Sequence, residues 1–236
     1  MSISRKCFIS ATTVGVSAAA AFSSFDTVAD AAVERTPVHF HILKPSEYDK
    51  ALMLQKLTVN NDHKQVFQSV SPILVAPGVA SIYIHMQNAM NAYQFSQGLG
   101  NLATLGVFIG PSIVFGLNDA MWKKYPIGKM FGLDPTNSYY QAGSNLDLGA
   151  DPDNPDGVYQ DWSAQAVLKR GGQFFVCHNA TTAVAYIVAL KMGTTTGKAV
   201  LADFEKSLMP GFQMVPAGVG AVQQAQEIGW KIYPII

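Results

Sequence analysis

The sequence predicts a three-layer α/β fold: a mostly parallel sheet of about five strands with helices on both faces, plus an N-terminal helical extension. Three observations carry this. Hydrophobic residues make up 49% of the 236 residues and charged residues only 14%, too apolar for disorder and enough for a large packed core. Short strand-like runs alternate with segments of helical period, the order that builds a parallel sheet covered on both sides. One run, Ala103 to Gly110 (ATLGVFIG), is continuously apolar, as a strand buried on both faces must be.

Each element has its own signal. Ser46 can cap a helix over about residues 47–57, with Asp49 at the third helical position as in a loose capping box. Lys64 to Val70 (KQVFQSV) alternates and reads as a strand. Residues 72–78 form a turn punctuated by Pro and Gly. Residues 79–97 place Ile82, Met86, Ala89, Met90 and Tyr93 at helical spacing. Pro111 suits the start of a helix running to about Lys124. Residues 126–158 are dense in Pro and Gly and read as a long surface excursion with one short helical turn. A helix near 160–169 follows, then a strand at Gln173 to Cys177 (QFFVC) and a helix over 180–192. A helix near 198–208, a strand at 212–215, a helix over 218–228 and a last strand at 231–235 complete the chain.

The first 31 residues read as an export signal rather than as part of the fold. Arg5-Lys6 is a short basic start, residues 11–22 are a mildly apolar run, and Ala29-Asp30-Ala31 is a small-x-small cleavage pattern. The start resembles a twin-arginine (Tat) signal with Lys6 in place of the second arginine, and the mild apolar run favours that route over Sec. The expected location is periplasmic or otherwise exported, with cleavage before Ala32. Residues 32–236 are then one domain, with an extension at 32–63 and a loop insertion at 126–158.

Charge and composition exclude several functions. Sixteen basic and sixteen acidic residues cancel, so no general attraction to phosphates or nucleic acid is expected. No run approaches the ~20 apolar residues of a spanning helix, so no stable membrane span is expected after signal removal. No Gly-x-Gly-x-x-Gly, P-loop or Gly-x-Ser-x-Gly pattern occurs, so no nucleotide cofactor and no serine nucleophile elbow are expected.

Cys177 is the residue that looks like chemistry. Cleavage before Ala32 removes Cys7 and leaves Cys177 as an odd cysteine in an oxidising compartment. It ends an apolar strand and precedes a helix, where free N–H groups and the helix dipole favour thiolate over thiol. A thiolate is the nucleophile of sulfur transfer. The same position also suits a small buried cysteine finishing a core strand.

Residues 174–180 (FFVCHNA) resemble the active-cysteine segment of the DsrE/DsrF-like (TusD-like) sulfur-relay family. Residues 214–221 (MVPAGVGA) resemble its final strand-to-helix turn. Val66-Phe67-Gln68 and Asn88-Ala89-Met90-Asn91 suit its first strand and helix. Where family members commonly carry His-Gly after the second strand, this chain reads Ile109-Gly110. The resemblance implies that Cys177 accepts a sulfane sulfur as a persulfide and passes it to an external thiol or sulfur-carrier protein. It also implies a homo-oligomer. His178 and Asn179 would support the cysteine, His178 by orienting, by protonating or by capping the turn. His85, Asn88 and Asn91, at i, i+3 and i+6 on the first long helix, form a polar stripe that faces either the crevice or a helix–helix contact between subunits, and Gly110, Pro216 and Gly218 are further candidates for the crevice lining. The rival reading is a non-catalytic binding or assembly module with a structural cysteine.

Two other groupings are weaker. Asp151-Pro152-Asp153-Asn154-Pro155-Asp156-Gly157 has the wrong spacing for a calcium loop and reads as a solvated acidic turn. His39 and His41, with His63 or His85, would make a metal-binding protein, but no cysteine or carboxylate spacing supports one, and no metal is expected.

Overall fold

The computed structural model describes residue 38 and residues 40–235. The expected export signal, the cleavage site and His39 lie outside the described residues.

Helix α1 (Lys50–Leu57) starts later than the sequence suggests, because Asp49 rather than Ser46 caps it. The Asp49 carboxylate accepts the Leu52 N–H at 2.8 Å. Glu47, expected within the helix, instead accepts the Lys44 N–H at 2.7 Å. Strand β1 (Lys64–Ser69) is followed by a hairpin, β2 (Leu74–Ala76) and β3 (Val79–Ala80), where only a turn was expected. Helix α2 (Ser81–Asn91) runs into a π-helical turn at Ala92–Ser96. Strand β4 (Ala103–Phe108) is buried at every residue.

The single helix expected from Pro111 to Lys124 is two elements. Gly110–Gly116 is a 3-10 helix, Leu117 is extended, and Asn118 caps a new helix, α3 (Asp119–Lys124). A polar side chain that caps competes with helix continuation, and Asn118 accepts the Met121 N–H at 3.2 Å. Helix α4 (Ile127–Phe131) and a 3-10 turn at Val158–Gln160 bracket the excursion. Helices α5 (Ala164–Lys169), α6 (His178–Met192), α7 (Gly197–Glu205) and α8 (Gly218–Glu227) alternate with strands β5 (Gln173–Cys177), β6 (Phe212–Val215) and β7 (Lys231–Ile235).

The main sheet has the order β6-β5-β4-β1-β7, and every neighbouring pair is parallel. Alternation along the strands divides the core in two. One face carries Phe67, Phe108, Phe174 and Phe212 and packs on α2, the 3-10 helix, α6 and α7. The other carries Val66, Leu105, Val107, Phe175 and Val215 and packs on α1 and α8. Phe174 stacks on Phe212 with ring centroids 4.6 Å apart and Tyr83 meets it edge-on at 5.5 Å. A Cβ at residue 106 would lie 2.6 Å from the Phe174 ring, so β4 needs glycine there. Trp230 donates its indole N–H to Leu57 O at 2.9 Å, fixing the extension helix α1 to the turn before β7.

The excursion is not wholly superficial. Asn137 is buried and its amide donates to Phe115 O (3.0 Å) and Leu117 O (2.8 Å). Tyr139 is buried against Phe115 and Trp122. The Asn137 amide thus satisfies carbonyls left open where the 3-10 helix ends, while the Tyr139 hydroxyl accepts the Asp134 N–H at 3.1 Å. The acidic stretch at 151–157 closes on itself: Asp151 and Asn154 accept the N–H groups of Asp153 and Asp156, each at 3.0 Å.

Candidate functional site

The sheet topology singles out one crevice. Strands β1, β4 and β5 are each followed by helices on the α2/α6 face, whereas β6 is followed by α8 on the opposite face. Among the described strands, β5 and β6 are the neighbours whose following helices part to opposite faces. Ligands of open α/β sheets bind where this happens, at the carboxyl ends of the strands. Cys177 is the last residue of β5 and pairs in register with Val215, the last of β6.

Cys177 is itself the N-cap of α6. Its Sγ accepts the Ala180 N–H at 3.4 Å, and Thr181 donates its hydroxyl to Cys177 O at 2.9 Å. Helix α6 therefore begins at His178, two residues earlier than expected, because the sulfur takes the capping role. Cys177 is free and only 3% exposed.

The N-terminus of α8 comes to the same point. Asn179 N–H donates to Pro216 O at 3.4 Å, joining the first turn of α6 to the chain entering α8. A Cβ on Gly218 would lie 3.1 Å from Cys177 Cβ and 2.6 Å from Ile109 Cγ1. Glycine at 218 is thus what lets two helix N-termini close around one sulfur, with Ile109 as the third wall. Gly110 has φ +61°, and a Cβ there would meet Val70 O at 2.9 Å, so glycine also fixes the turn leaving β4. Ser112 donates to Ser69 O at 2.6 Å and binds the ends of β1 and β4 together.

His178 does not cap the turn. Its buried ring is held by Glu205 of α7, Nε2 to Oε1 2.8 Å, and its Nδ1 has no hydrogen-bond partner among the described residues. Cys177, Asn179, Gly110, Pro216 and Gly218 meet at the carboxyl edge of the sheet. The α2 stripe does not join them. His85 and Asn88 line a cleft over Gln65, Phe67 and Tyr233, with the His85 ring 5.4 Å from that of Tyr233. Asn91 faces the amino edge, where its amide donates to Tyr159 O at 2.8 Å and its carbonyl accepts from Arg170 at 2.6 Å.

The remaining histidines are dispersed. His41 bonds Glu47 at 2.8 Å and His63 packs on Tyr93. Among the described residues no group of three metal-ligating side chains comes together. No helix among them is long and apolar enough to cross a membrane. No family model matches the chain, and no curated protein matches it.

Proposed function

We propose that this is an exported protein that binds or transfers sulfane sulfur as a persulfide on Cys177. The observation that supports it best is the seat of the sulfur: the end of β5, where β5 and β6 send their helices apart and two helix N-termini meet. Backbone N–H groups there suit a sulfur anion, whether thiolate or persulfide.

The chemistry needs no oxidant. The Cys177 thiolate attacks the outer sulfur of thiosulfate; the new Sγ–S bond forms as the S–S bond to sulfite breaks, and sulfite leaves with the electron pair. An external thiolate then attacks the outer sulfur of the persulfide and carries it away, restoring the Cys177 thiolate. With Cys177 the sole cysteine after residue 31, acceptance must fall to an external thiol or sulfur-carrier protein. Asn179 and Gly218 shape the seat; His178, held by Glu205, positions the first turn of α6.

Burial and the capping bond favour a second reading, in which Cys177 is structural and the chain is a binding or assembly module. Mass spectrometry after exposure to thiosulfate or polysulfide separates the two. The transfer reading expects one added sulfur per chain, removed by reductant and lost in Cys177→Ser. Equal uptake by both proteins, or uptake by neither, overturns it in favour of the structural reading.

A further inference from the structure

The amino edge of the sheet, opposite Cys177, holds a cation that has no counter-charge among the described residues. Arg170 lies between α5 and β5, and its guanidinium sits 4.7 Å from the Tyr159 ring centroid. Its Nη1 donates to Gln87 and Asn91 (2.5 and 2.6 Å) and its Nη2 to Gln94 at 3.1 Å. All three acceptors are neutral amides. No carboxylate lies within salt-bridge distance of it among the described residues. Asp161, the acid nearest in the chain, spends its oxygens on the N–H groups of Ser144 (2.8 Å) and Ser163 (3.0 Å). Burial pushes the guanidinium down to about 10, so it stays charged at neutral pH.

Two donors of Arg170 remain unused among the described residues, Nε–H and one N–H of Nη2. A guanidinium with two spare N–H groups can still hold a carboxylate by charge-assisted hydrogen bonds. The guanidinium opens on a cleft of about 430 Å3 whose other walls include Met90, Leu102, Leu148 and Tyr159. Lys169 at the rim adds a second positive charge. A half-buried guanidinium with spare donors beside the exposed Leu148, in a cleft otherwise lined by polar groups such as Gln94 and Asn101, suits a small acid that carries a short hydrocarbon part.

We propose that this cleft binds a small organic carboxylate, its carboxylate on the free N–H groups of Arg170 and its short hydrocarbon part against Leu148. The site is independent of the sulfur chemistry, since it lies at the other edge of the sheet. Binding would fasten the 3-10 turn at Val158–Gln160 more firmly to α2, because the same guanidinium anchors Gln87 and Asn91, which hold Val158 O and Tyr159 O.

Isothermal titration and thermal melting with sodium hexanoate test this, against sodium chloride and sodium phosphate at equal ionic strength and against hexanol. The expected result is saturable heat and a rise in Tm with hexanoate that neither salt nor hexanol gives. Arg170→Lys, which keeps the charge and loses the fork, should weaken binding at least tenfold. Because Arg170 also ties the excursion to α2, a second variant leaves it in place: Leu148→Trp fills the cleft and should abolish the hexanoate response. No response to hexanoate in the wild type overturns the proposal. So does a response that phosphate matches, or one that Leu148→Trp retains.

Discussion

Gly218→Ala tests whether the cysteine seat is as closely built as its geometry requires. The new methyl would stand 2.6 Å from Ile109 Cγ1, 3.2 Å from Ile109 Cδ1 and 3.1 Å from Cys177 Cβ. Overpacking of this kind costs about 1–3 kcal/mol. Two effects oppose it. Alanine is the better helix former and it narrows the unfolded ensemble, together worth about 0.4–1 kcal/mol at a compatible site. Gly218 does not have a positive φ, so both gains apply. The net expectation is a loss of about 1–2 kcal/mol, since packing exceeds propensity here. Urea denaturation of the wild type, Gly218→Ala, Ile109→Ala and the double variant isolates the contact. In the Ile109→Ala background the methyl has room, and Gly218→Ala should become neutral or stabilising, a coupling of about 1 kcal/mol or more. If Gly218→Ala costs nothing while Ile109 is present, the three-walled seat is wrong. The same variants measure access to the sulfur: iodoacetamide should label Cys177 faster in Ile109→Ala than in the wild type, and equal rates would refute Ile109 as its cover.

Four further outcomes are expected. Asn137→Ala leaves Phe115 O and Leu117 O without their donor and should cost about 2–4 kcal/mol, with residues 126–158 becoming the first protease-sensitive segment; unchanged urea midpoint and proteolysis would contradict this. At Asp161 burial pushes the carboxyl up, but hydrogen bonds from Ser163 and Ser144 outweigh it and hold it below the usual carboxylate range. Its stabilising effect is therefore present above the unfolded value near 3.8 and lost as pH falls through the lower folded value, so Asp161→Asn should flatten the acid limb of stability below about pH 4; an unchanged limb would refute this. If the chain is exported as proposed, cell fractionation should place it outside the cytoplasm and N-terminal sequencing should find a start near Ala32; the full-length chain in the cytoplasm would refute this. The edge strand β7 exposes Ile232 and Tyr233, a place where a second copy can add, and light scattering of the chain without its first 31 residues should give more than one chain's mass.

Much of the sheet was legible because strands announce themselves locally. The uninterrupted run at 103–110 had to be buried on both faces, and residues 103–108 are. The strands at 173–177, 212–215 and 231–235 fall where their apolar runs end. Helix starts were less legible, because a cap is chosen by geometry among several eligible residues. Asp49 displaced Ser46, and the sulfur of Cys177 displaced the residues after it. The split at Leu117 depends on Asn118 capping α3 and on Asn137, nineteen positions further on, reaching back to two carbonyls. No local pattern encodes that reach, although the adjacent aromatics Tyr139 and Tyr140 within a Pro/Gly-rich segment were a signal that part of it would be buried.

The two candidate sites differ in legibility for the same reason. Cys177 is visible in the sequence because the strand behind it and the helix ahead are local, although Gly218 and Ile109, which close its seat, come from distant parts of the chain. Arg170 was invisible, because its three amide acceptors lie on α2 and the π-helical turn, 76 to 83 positions earlier in the chain. The sequence points to Asn91 too, but as part of a stripe with His85 and Asn88. Helix α2 runs from the hairpin after β1 back to the start of β4, so its residues move from the carboxyl edge towards the amino edge as the chain advances. A stripe at i, i+3 and i+6 on such a helix cannot serve one edge alone. His85 and Asn88 stay over β1 and β7, while Asn91 reaches Arg170. The helix that was expected to complete the sulfur site thereby helps to build a charged one at the opposite edge.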